Sequence, residues 1–212
     1  MGAAPAADGG TIGYDESPLN YVRQAGQVSY TPRHAIHISV TTQPQKPILF
    51  VDVDGVISVF GFSSSQQDFP GPFHWVDGVA HCIPDAVGAR LERLAERFEL
   101  VWATGWEEKA NEYLPFILKL PFDRLPVLSF GGRAVFGSSH WKVEAIQEYA
   151  GSRPAAWIDD NIDQTCEKWA KRREAPTLLV RTKSKAGMTD DHVERLLGWA
   201  DEVAQDAANA AA

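Results

Sequence analysis

The sequence predicts an α/β fold built on a doubly wound, mainly parallel sheet. Short apolar segments typical of buried strands alternate along the chain with longer amphipathic segments typical of helices. The first of them, ILFVDV after Pro47, is apolar almost throughout, as expected for a strand that is covered on both faces. Strand–helix–strand units of this length form right-handed crossovers, so their strands run parallel.

The predicted strands and helices follow each other in a regular order. Strands are expected at residues 48–53, 99–104, 125–130, 155–160 and 177–182. Helices are expected at residues 84–98, 106–118, 139–149, 161–173 and 190–203. The first helix candidate has Pro84 in its first turn, and Ser139 and Asp190 are suited to cap the helices that they open.

Composition divides the chain into one domain and two flanking segments. A length of 212 residues with 44% hydrophobic content is typical of a single globular domain. Residues 1–46 are rich in Gly, Ala, Pro, Ser, Thr and Gln, which predicts a flexible or loosely attached extension. The five strand candidates lie in residues 47–205, and the Ala-rich residues 206–212 are expected to fray.

Charge and cysteine usage exclude several classes of protein. The net charge of −8 argues against sequence-blind binding to nucleic acid or to anionic membranes. No apolar run approaches the roughly 18 residues of a membrane-spanning helix, and no secretory signal pattern opens the chain. Cys82 and Cys166 are far apart and lack metal-binding spacing, so neither a disulfide framework nor a zinc knuckle is expected. We expect a cytoplasmic protein.

Chemically active side chains follow the ends of the predicted strands, where a parallel sheet binds its ligands. They are Asp52 and Asp54 at the end of the first strand, Thr104 and Gly105 at the end of the second, Lys142 in the helix after the third, and Asp159 and Asp160 at the end of the fourth. Four carboxylates at one edge repel each other unless a cation lies among them, and Mg²⁺ prefers such oxygen ligands. This set of residues suits phosphoryl transfer through an aspartyl-phosphate, followed by hydrolysis.

Four segments of the chain resemble, in order, the four motifs of the haloacid-dehalogenase-like (HAD) phosphatases. These segments are LFVDVDGVI, VWATGW, HWK and AAWIDDN. The resemblance is greater still to the HAD domain associated with Swiss Army Knife RNA-repair proteins, which shares WATGWEEKAN, WIDDN, the TLLV strand and a late Gly-Met-Thr–helix–Trp ending. The resemblance covers roughly residues 47–205 and implies a Rossmann-like HAD fold.

The resemblance also implies a role for each matching residue. Asp52 is expected to be the nucleophile and a metal ligand. Asp54 is expected to protonate the leaving oxygen and then to activate water, while its backbone carbonyl binds the metal. Thr104 and the Gly105 N–H would hold the phosphoryl group, and Lys142 would neutralise its charge.

The resemblance further implies a Mg²⁺ cofactor. Asp160 is expected to be the direct ligand from the fourth motif, with Asp159 in support. Too few residues separate the second and third motifs for a large cap domain, so the protein is expected to be essentially capless. Residues 56–82 predict a small flap hairpin instead.

An open site of this kind suits bulky substrates. Trp75 and Trp106 lie near its expected mouth, where they either pack in the flap or stack on a substrate base. Arg181, Lys183 and Lys185 follow the last strand and are candidates for contact with a polyanion.

The predicted activity is therefore Mg²⁺-dependent hydrolysis of a phosphate monoester. A nucleic-acid end, of RNA or DNA and in particular an RNA 3′-phosphate, is the favoured substrate because of the family resemblance. A nucleotide or sugar-phosphate phosphatase is the alternative within enzymes. A HAD module that binds phosphate or a partner without turnover is an alternative of another class, but a degenerate member usually loses the nucleophile or the lysine, and both are present here.

Overall fold

The structure, a computed structural model, describes residues 45–63, 65, 68–131 and 137–210. Residues 1–44 of the predicted extension lie outside the described residues. The strands of the described part are β1 (Ile48–Val51), β2 (Phe73–Val76), β3 (Val79–Cys82), β4 (Glu99–Trp102), β5 (Ala155–Asp159) and β6 (Thr177–Arg181). Its α-helices are α1 (Ala86–Ala95), α2 (Lys109–Ile117), α3 (Val143–Ala150), α4 (Gln164–Arg172) and α5 (Asp190–Ala210), and a 3₁₀ helix (His140–Lys142) leads into α3.

Four strands form the central parallel sheet in the order β4–β1–β5–β6. Successive side chains of a strand point to opposite faces of the sheet. In β1, Leu49 and Val51 belong to the core that includes α1, α2 and α5, whereas Ile48 and Phe50 belong to the core that includes α3 and α4. Helices therefore cover both faces, which explains why β1 is wholly apolar and fully buried. The predicted doubly wound α/β fold is confirmed.

The connections between the strands create a crevice at one edge of the sheet. From β1 the chain crosses to β4 on one side, and it later returns to β5 on the other side of β1. Ligands of open α/β sheets bind beyond the carboxyl ends of the strands at such a reversal. Asp52, Asp54, Thr104, Gly105 and Asp160 follow β1, β4 and β5, and Asp159 is the last residue of β5. These predicted site residues therefore lie around the crevice.

The predicted strand at residues 125–130 is reduced to a single bridge. Val127 pairs with Trp102 at the outer edge of β4, and the Leu128 N–H donates to the Trp102 carbonyl at 2.9 Å. Pro126 accepts a hydrogen bond through its carbonyl but has no N–H to donate. The hydrogen-bonding ladder is therefore interrupted at this position.

Two helices differ in length from the prediction. Helix α2 begins at Lys109 rather than at residue 106, because Glu107 has a positive φ of 48° and its carboxylate accepts the Phe130 N–H at 2.7 Å. Trp106 consequently lies in a turn. Helix α5 continues to Ala210, beyond the predicted end at residue 203 and into the predicted tail. Among the described helices, none has both the length and the apolarity that crossing a membrane requires.

The predicted flap at residues 56–82 forms a hairpin over its second half, where β2 and β3 pair in antiparallel fashion. Asp77 and Gly78 form the turn with positive φ values of 49° and 80°, as tight hairpin turns require. The Asp77 carboxylate accepts hydrogen bonds from the Tyr113 hydroxyl at 2.9 Å and from the Lys109 ammonium. These contacts tie the tip of the hairpin to α2.

Candidate active site

Asp52 and Asp159 are brought together by the register of two neighbouring strands. Val51 in β1 pairs with Ile158 in β5, and the Asp52 N–H donates to the Ile158 carbonyl at 3.1 Å. Both aspartates therefore emerge side by side at the carboxyl edge of the sheet. Both are buried, Asp159 completely.

Lys142 bridges these two carboxylates. Its Nζ lies 2.9 Å from Asp52 Oδ2 and 2.7 Å from Asp159 Oδ2, and only 3% of the residue is exposed. Burial raises the pKa of Asp52 to about 8, although the Lys142 ammonium opposes this rise and the Asp159 charge adds to it. Burial by itself lowers the pKa of Lys142, but the two carboxylates outweigh burial and raise it. Two carboxylates thus share one ammonium.

Asp159 and Asp160 have different surroundings despite being adjacent in the chain. Asp159 accepts hydrogen bonds from the Lys142 ammonium, the Ser139 hydroxyl and, at 2.8 Å, the Asn161 N–H. Asp160 is half-buried and accepts hydrogen bonds from the Asn161 side-chain amide and the Ser184 hydroxyl, both at 2.7 Å. Ser139 therefore binds Asp159 and does not use its side chain as the predicted helix cap.

The carboxylates of Asp52, Asp159 and Asp160 form a group suited to a metal ion. One oxygen from each lies within 4.8 Å of the others. Lys142 is the single ammonium in contact with this group among the described residues, so when all three carboxylates are ionised, two negative charges remain uncompensated. A hard divalent cation with oxygen ligands, such as Mg²⁺, matches both the donor atoms and the charge.

The backbone turn after Asp52 permits the close approach of the three carboxylates. Gly55 has a positive φ of 77°, and its carbonyl accepts a hydrogen bond from the Thr182 hydroxyl at 2.7 Å. A Cβ atom at Gly55 would lie 2.2 Å from Asp160 Oδ2, so any side chain there would displace Asp160. The positive φ and the close approach of Asp160 both require glycine at this position.

The side chain of Asp54 points to a different set of neighbours from that of Asp52. Its Oδ2 accepts a hydrogen bond from Trp106 Nε1 at 2.9 Å, and its Oδ1 lies 3.9 Å from His81 Nδ1. The His81 ring also lies 2.9 Å from the Ser58 hydroxyl through Nδ1, and burial lowers its pKa against the opposing effect of Asp54. Asp54 thus lies between the hairpin and the turn that follows β4.

Thr104 and Gly105 lie in that turn, four to five residues before α2 begins. Thr104 is buried, and its hydroxyl accepts the Trp106 N–H at 3.2 Å. Gly105 is exposed and borders the cavity beside Asp52. The expected helix N-terminus at this point is therefore replaced by a turn, in which Gly105 faces the open space.

A cavity of about 400 Å³ opens in front of Asp52, Asp54 and Lys142. Its walls also include several residues that were not predicted as site residues, among them Ser58, Phe60, His81, Ser139 and Trp141. Trp141 adjoins Lys142 in the HWK segment, and the Lys142 ammonium lies 5.4 Å from the centre of its ring. Its position in the HWK motif was the sequence signal that could have indicated Trp141 as a site residue. No local pattern indicated Ser58 or His81.

The remaining predicted binding residues lie outside the lining of this cavity. Trp106 donates its indole N–H to Asp54, and its ring packs edge-on against that of His81 with 4.7 Å between the ring centres. Trp75 is 72% exposed and pairs across the hairpin with Ala80, which does border the cavity. The Arg181 guanidinium donates to the Ile162 carbonyl and lies 3.8 Å from the Glu167 carboxylate, so it already has partners within the protein.

The fold also resembles that of solved structures. Over 74% of this chain and 97% of the other, it matches the HAD domain of the effector protein Lem4 from Legionella pneumophila, with 13% identity and a TM-score of 0.47. A hypothetical protein from Xanthomonas campestris matches over 79% of this chain and 90% of its own, with 14% identity and a TM-score of 0.41. At these values the two structures carry no information about the activity of this chain. The comparison with curated proteins found no match.

The model of one protein family matches residues 48–193, from the start of β1 into the first turn of α5. This family is described as the HAD domain in Swiss Army Knife RNA repair proteins. The matched region contains Asp52, Lys142, Asp159 and Asp160, which meet at the carboxyl edge of the sheet. The chain belongs to the family of HAD domains found in Swiss Army Knife RNA repair proteins.

Proposed function

We propose that this protein is a Mg²⁺-dependent phosphomonoester hydrolase that acts through an aspartyl-phosphate on Asp52. The observation that carries this proposal is the buried contact of Asp52 with Lys142, beside the carboxylates of Asp159 and Asp160 and in front of an open cavity. A bound Mg²⁺ would supply the positive charge that lets a phosphate dianion approach these carboxylates.

The protein residues have separate tasks in this mechanism. Asp52 is held in place by the Val53 N–H, which donates to its Oδ1 at 2.8 Å, and by Lys142 at its Oδ2. It attacks the phosphorus while Lys142 offsets negative charge in the transition state. Gly105 borders the cavity that would receive the phosphoryl group. Asp54 protonates the leaving oxygen and later accepts a proton from the water that hydrolyses the intermediate.

Replacement of Lys142 by alanine tests this function. The variant Lys142→Ala leaves Asp52 and Asp159 without their shared ammonium, so kcat for p-nitrophenyl phosphate should fall by about 10² or more. The exposed Lys171 on α4 provides the control, and Lys171→Ala should retain nearly full activity. Circular dichroism of each variant would show that the fold is intact. Equal small effects at both lysines would contradict the proposed role of Lys142.

For the substrate, we propose the phosphorylated end of a nucleic acid, RNA in particular. Three observations support this choice: the family includes RNA repair proteins, the cavity is open, and Trp75, Lys183 and Lys185 are exposed on elements near it. Base stacking on an aromatic ring contributes about 1–3 kcal/mol per base, and lysine contacts to phosphates weaken with salt.

A comparison of substrate lengths tests this choice. A 3′-phosphorylated oligonucleotide should show a higher kcat/KM than the matching mononucleotide at low salt, and moderate salt should narrow the difference. Trp75→Ala should narrow it as well, while hydrolysis of p-nitrophenyl phosphate stays unchanged. Equal cleavage of both substrates would instead favour a nucleotide or sugar-phosphate phosphatase. Absence of turnover with every phosphate ester would favour the binding module.

A further inference from the structure

In the part of the chain that the structure describes, few protein groups orient the Asp54 carboxylate. Its side chain is 51% exposed, so surrounding atoms do not fix its rotamer by packing. Among the described residues, the indole N–H of Trp106 is the one hydrogen-bond donor to this carboxylate, at 2.9 Å from Oδ2. A half-exposed carboxyl with one directed donor is oriented mainly by that donor.

The donor itself is held firmly. Trp106 is half-buried and packs on the core beneath α1 and α2, while its backbone N–H donates to the Thr104 hydroxyl. Its ring lies edge-on against His81, which the Ser58 hydroxyl contacts at 2.9 Å. The indole N–H is therefore presented from a rigid position, as a residue that orients a reactive group must be.

The hairpin that carries His81 is also fixed at its other end. Asp77 at the tip accepts hydrogen bonds from Tyr113 and Lys109 on α2, and the Val59 N–H donates to the Cys82 carbonyl at its base. Helix α2 follows the turn that contains Trp106, so the contacts of the hairpin tip with α2 also link the hairpin to this turn. The hairpin and the turn thus support each other on two sides of Asp54.

We infer that Trp106 is a positioning residue that orients Asp54 for proton transfer. The inference rests on the proposed phosphatase function. The indole N–H donates a hydrogen bond to Asp54 Oδ2. Asp54 Oδ1 is then available to the leaving oxygen and, in the second step, to water. In this inference Trp106 acts through Asp54 rather than by stacking on a substrate base.

The proton transfers follow from the proposed mechanism. In the first step, a bond forms between Asp52 and phosphorus, the bond from phosphorus to the leaving oxygen breaks, and the proton on Asp54 moves to that oxygen. In the second step, water attacks the phosphorus, its proton moves to Asp54, and the bond from phosphorus to Asp52 breaks. Inorganic phosphate leaves, and both aspartates return to their starting state. Loss of orientation at Asp54 therefore affects poor leaving groups most, because they need the proton in the first step.

The test compares three phosphate esters of similar shape: benzyl, phenyl and p-nitrophenyl phosphate. Their leaving groups become better in that order, so their need for a proton from Asp54 decreases. In Trp106→Phe the ring remains and the N–H is lost. We expect kcat/KM to fall at least about tenfold more for benzyl than for p-nitrophenyl phosphate. An indole-to-benzothiophene replacement at residue 106, which keeps the shape of the ring, should give the same pattern if the phenylalanine variant is unstable.

Trp169 provides a matched control, because its indole N–H also donates to a side-chain oxygen, Gln147 Oε1 at 3.0 Å, on the opposite face of the sheet. Trp169→Phe should leave the ratio between the three esters unchanged. Equal losses for all three esters in Trp106→Phe would overturn the inference and leave the proposed function standing. If the wild-type protein hydrolyses none of the esters, the proposed function fails and the inference fails with it.

Discussion

Asp52→Asn is expected to abolish phosphatase activity without unfolding the protein. The amide has the shape of the carboxylate but cannot form an acyl phosphate, and loss of a catalytic residue in a hydrolase that forms a covalent intermediate costs about 10⁴ to 10⁶ in rate. Steady-state hydrolysis of p-nitrophenyl phosphate by the purified variant measures this loss. Activity like that of the wild type would contradict the proposed mechanism.

The stability of the same variant provides a second measurement. Burial raises the pKa of Asp52 to about 8. Ionisation of Asp52 in the metal-free protein therefore lowers the stability of the folded state as the pH rises above the ordinary pKa of aspartate. The neutral amide does not have this cost, and Lys142 retains Asp159 as a partner. The thermal midpoint of the metal-free variant should therefore stay near that of the wild type. A large fall would mean that Asp52 is needed for folding, and the loss of activity would then have to be measured at a temperature at which the variant is folded.

Removal of divalent metal is expected to have an effect of similar size. EDTA should abolish activity and added Mg²⁺ should restore it, because the ionised carboxylate group has two uncompensated negative charges that would repel a phosphate dianion. Activity as a function of Mg²⁺ concentration after metal removal measures this dependence. Full activity in buffer shown by elemental analysis to be metal-free would contradict a metal-dependent mechanism.

The adjacent aspartates supply a matched pair of variants for the metal. The oxygens of Asp159 are engaged by Lys142, Ser139 and the Asn161 N–H, whereas Asp160 is half-buried and has only neutral donors. Asp160→Asn should therefore raise the Mg²⁺ concentration for half-maximal activity by at least about tenfold. Asp159→Asn should instead lower stability, by about 1.5–3 kcal/mol for a hydrogen bond to a charged group. The opposite pattern would identify Asp159 as the direct ligand.

Much of the fold could be predicted because its signals are local. The continuous apolar run of β1 reflects burial on both faces, and helices α1, α3 and α4 begin and end within a few residues of the expected positions. Two elements differed from the prediction because a single residue changed the backbone. Pro126 interrupted the edge strand, and the positive φ of Glu107 delayed the start of α2.

The sequence could also predict that four site residues lie close together, namely Asp52, Lys142, Asp159 and Asp160. Parallel strands end at one edge, so residues that follow β1 and β5 become neighbours once the order of the strands is known. The types of side chain then indicate the chemistry, because a carboxylate group with one ammonium suits a divalent cation and a phosphate. Motif order and strand periodicity therefore indicate the chemistry and the edge at which it lies, whereas the order of the strands comes from the tertiary structure.

The surroundings of Asp54 could not be predicted in this way. His81 reaches Asp54 from a hairpin whose position depends on contacts of Asp77 with α2, between residues more than 30 positions apart. Trp106 faces Asp54 because its ring packs on His81 and its turn replaces the expected start of a helix. Such orientations result from the packing of several elements against each other, and packing energies are summed over contacts that no local stretch of sequence contains.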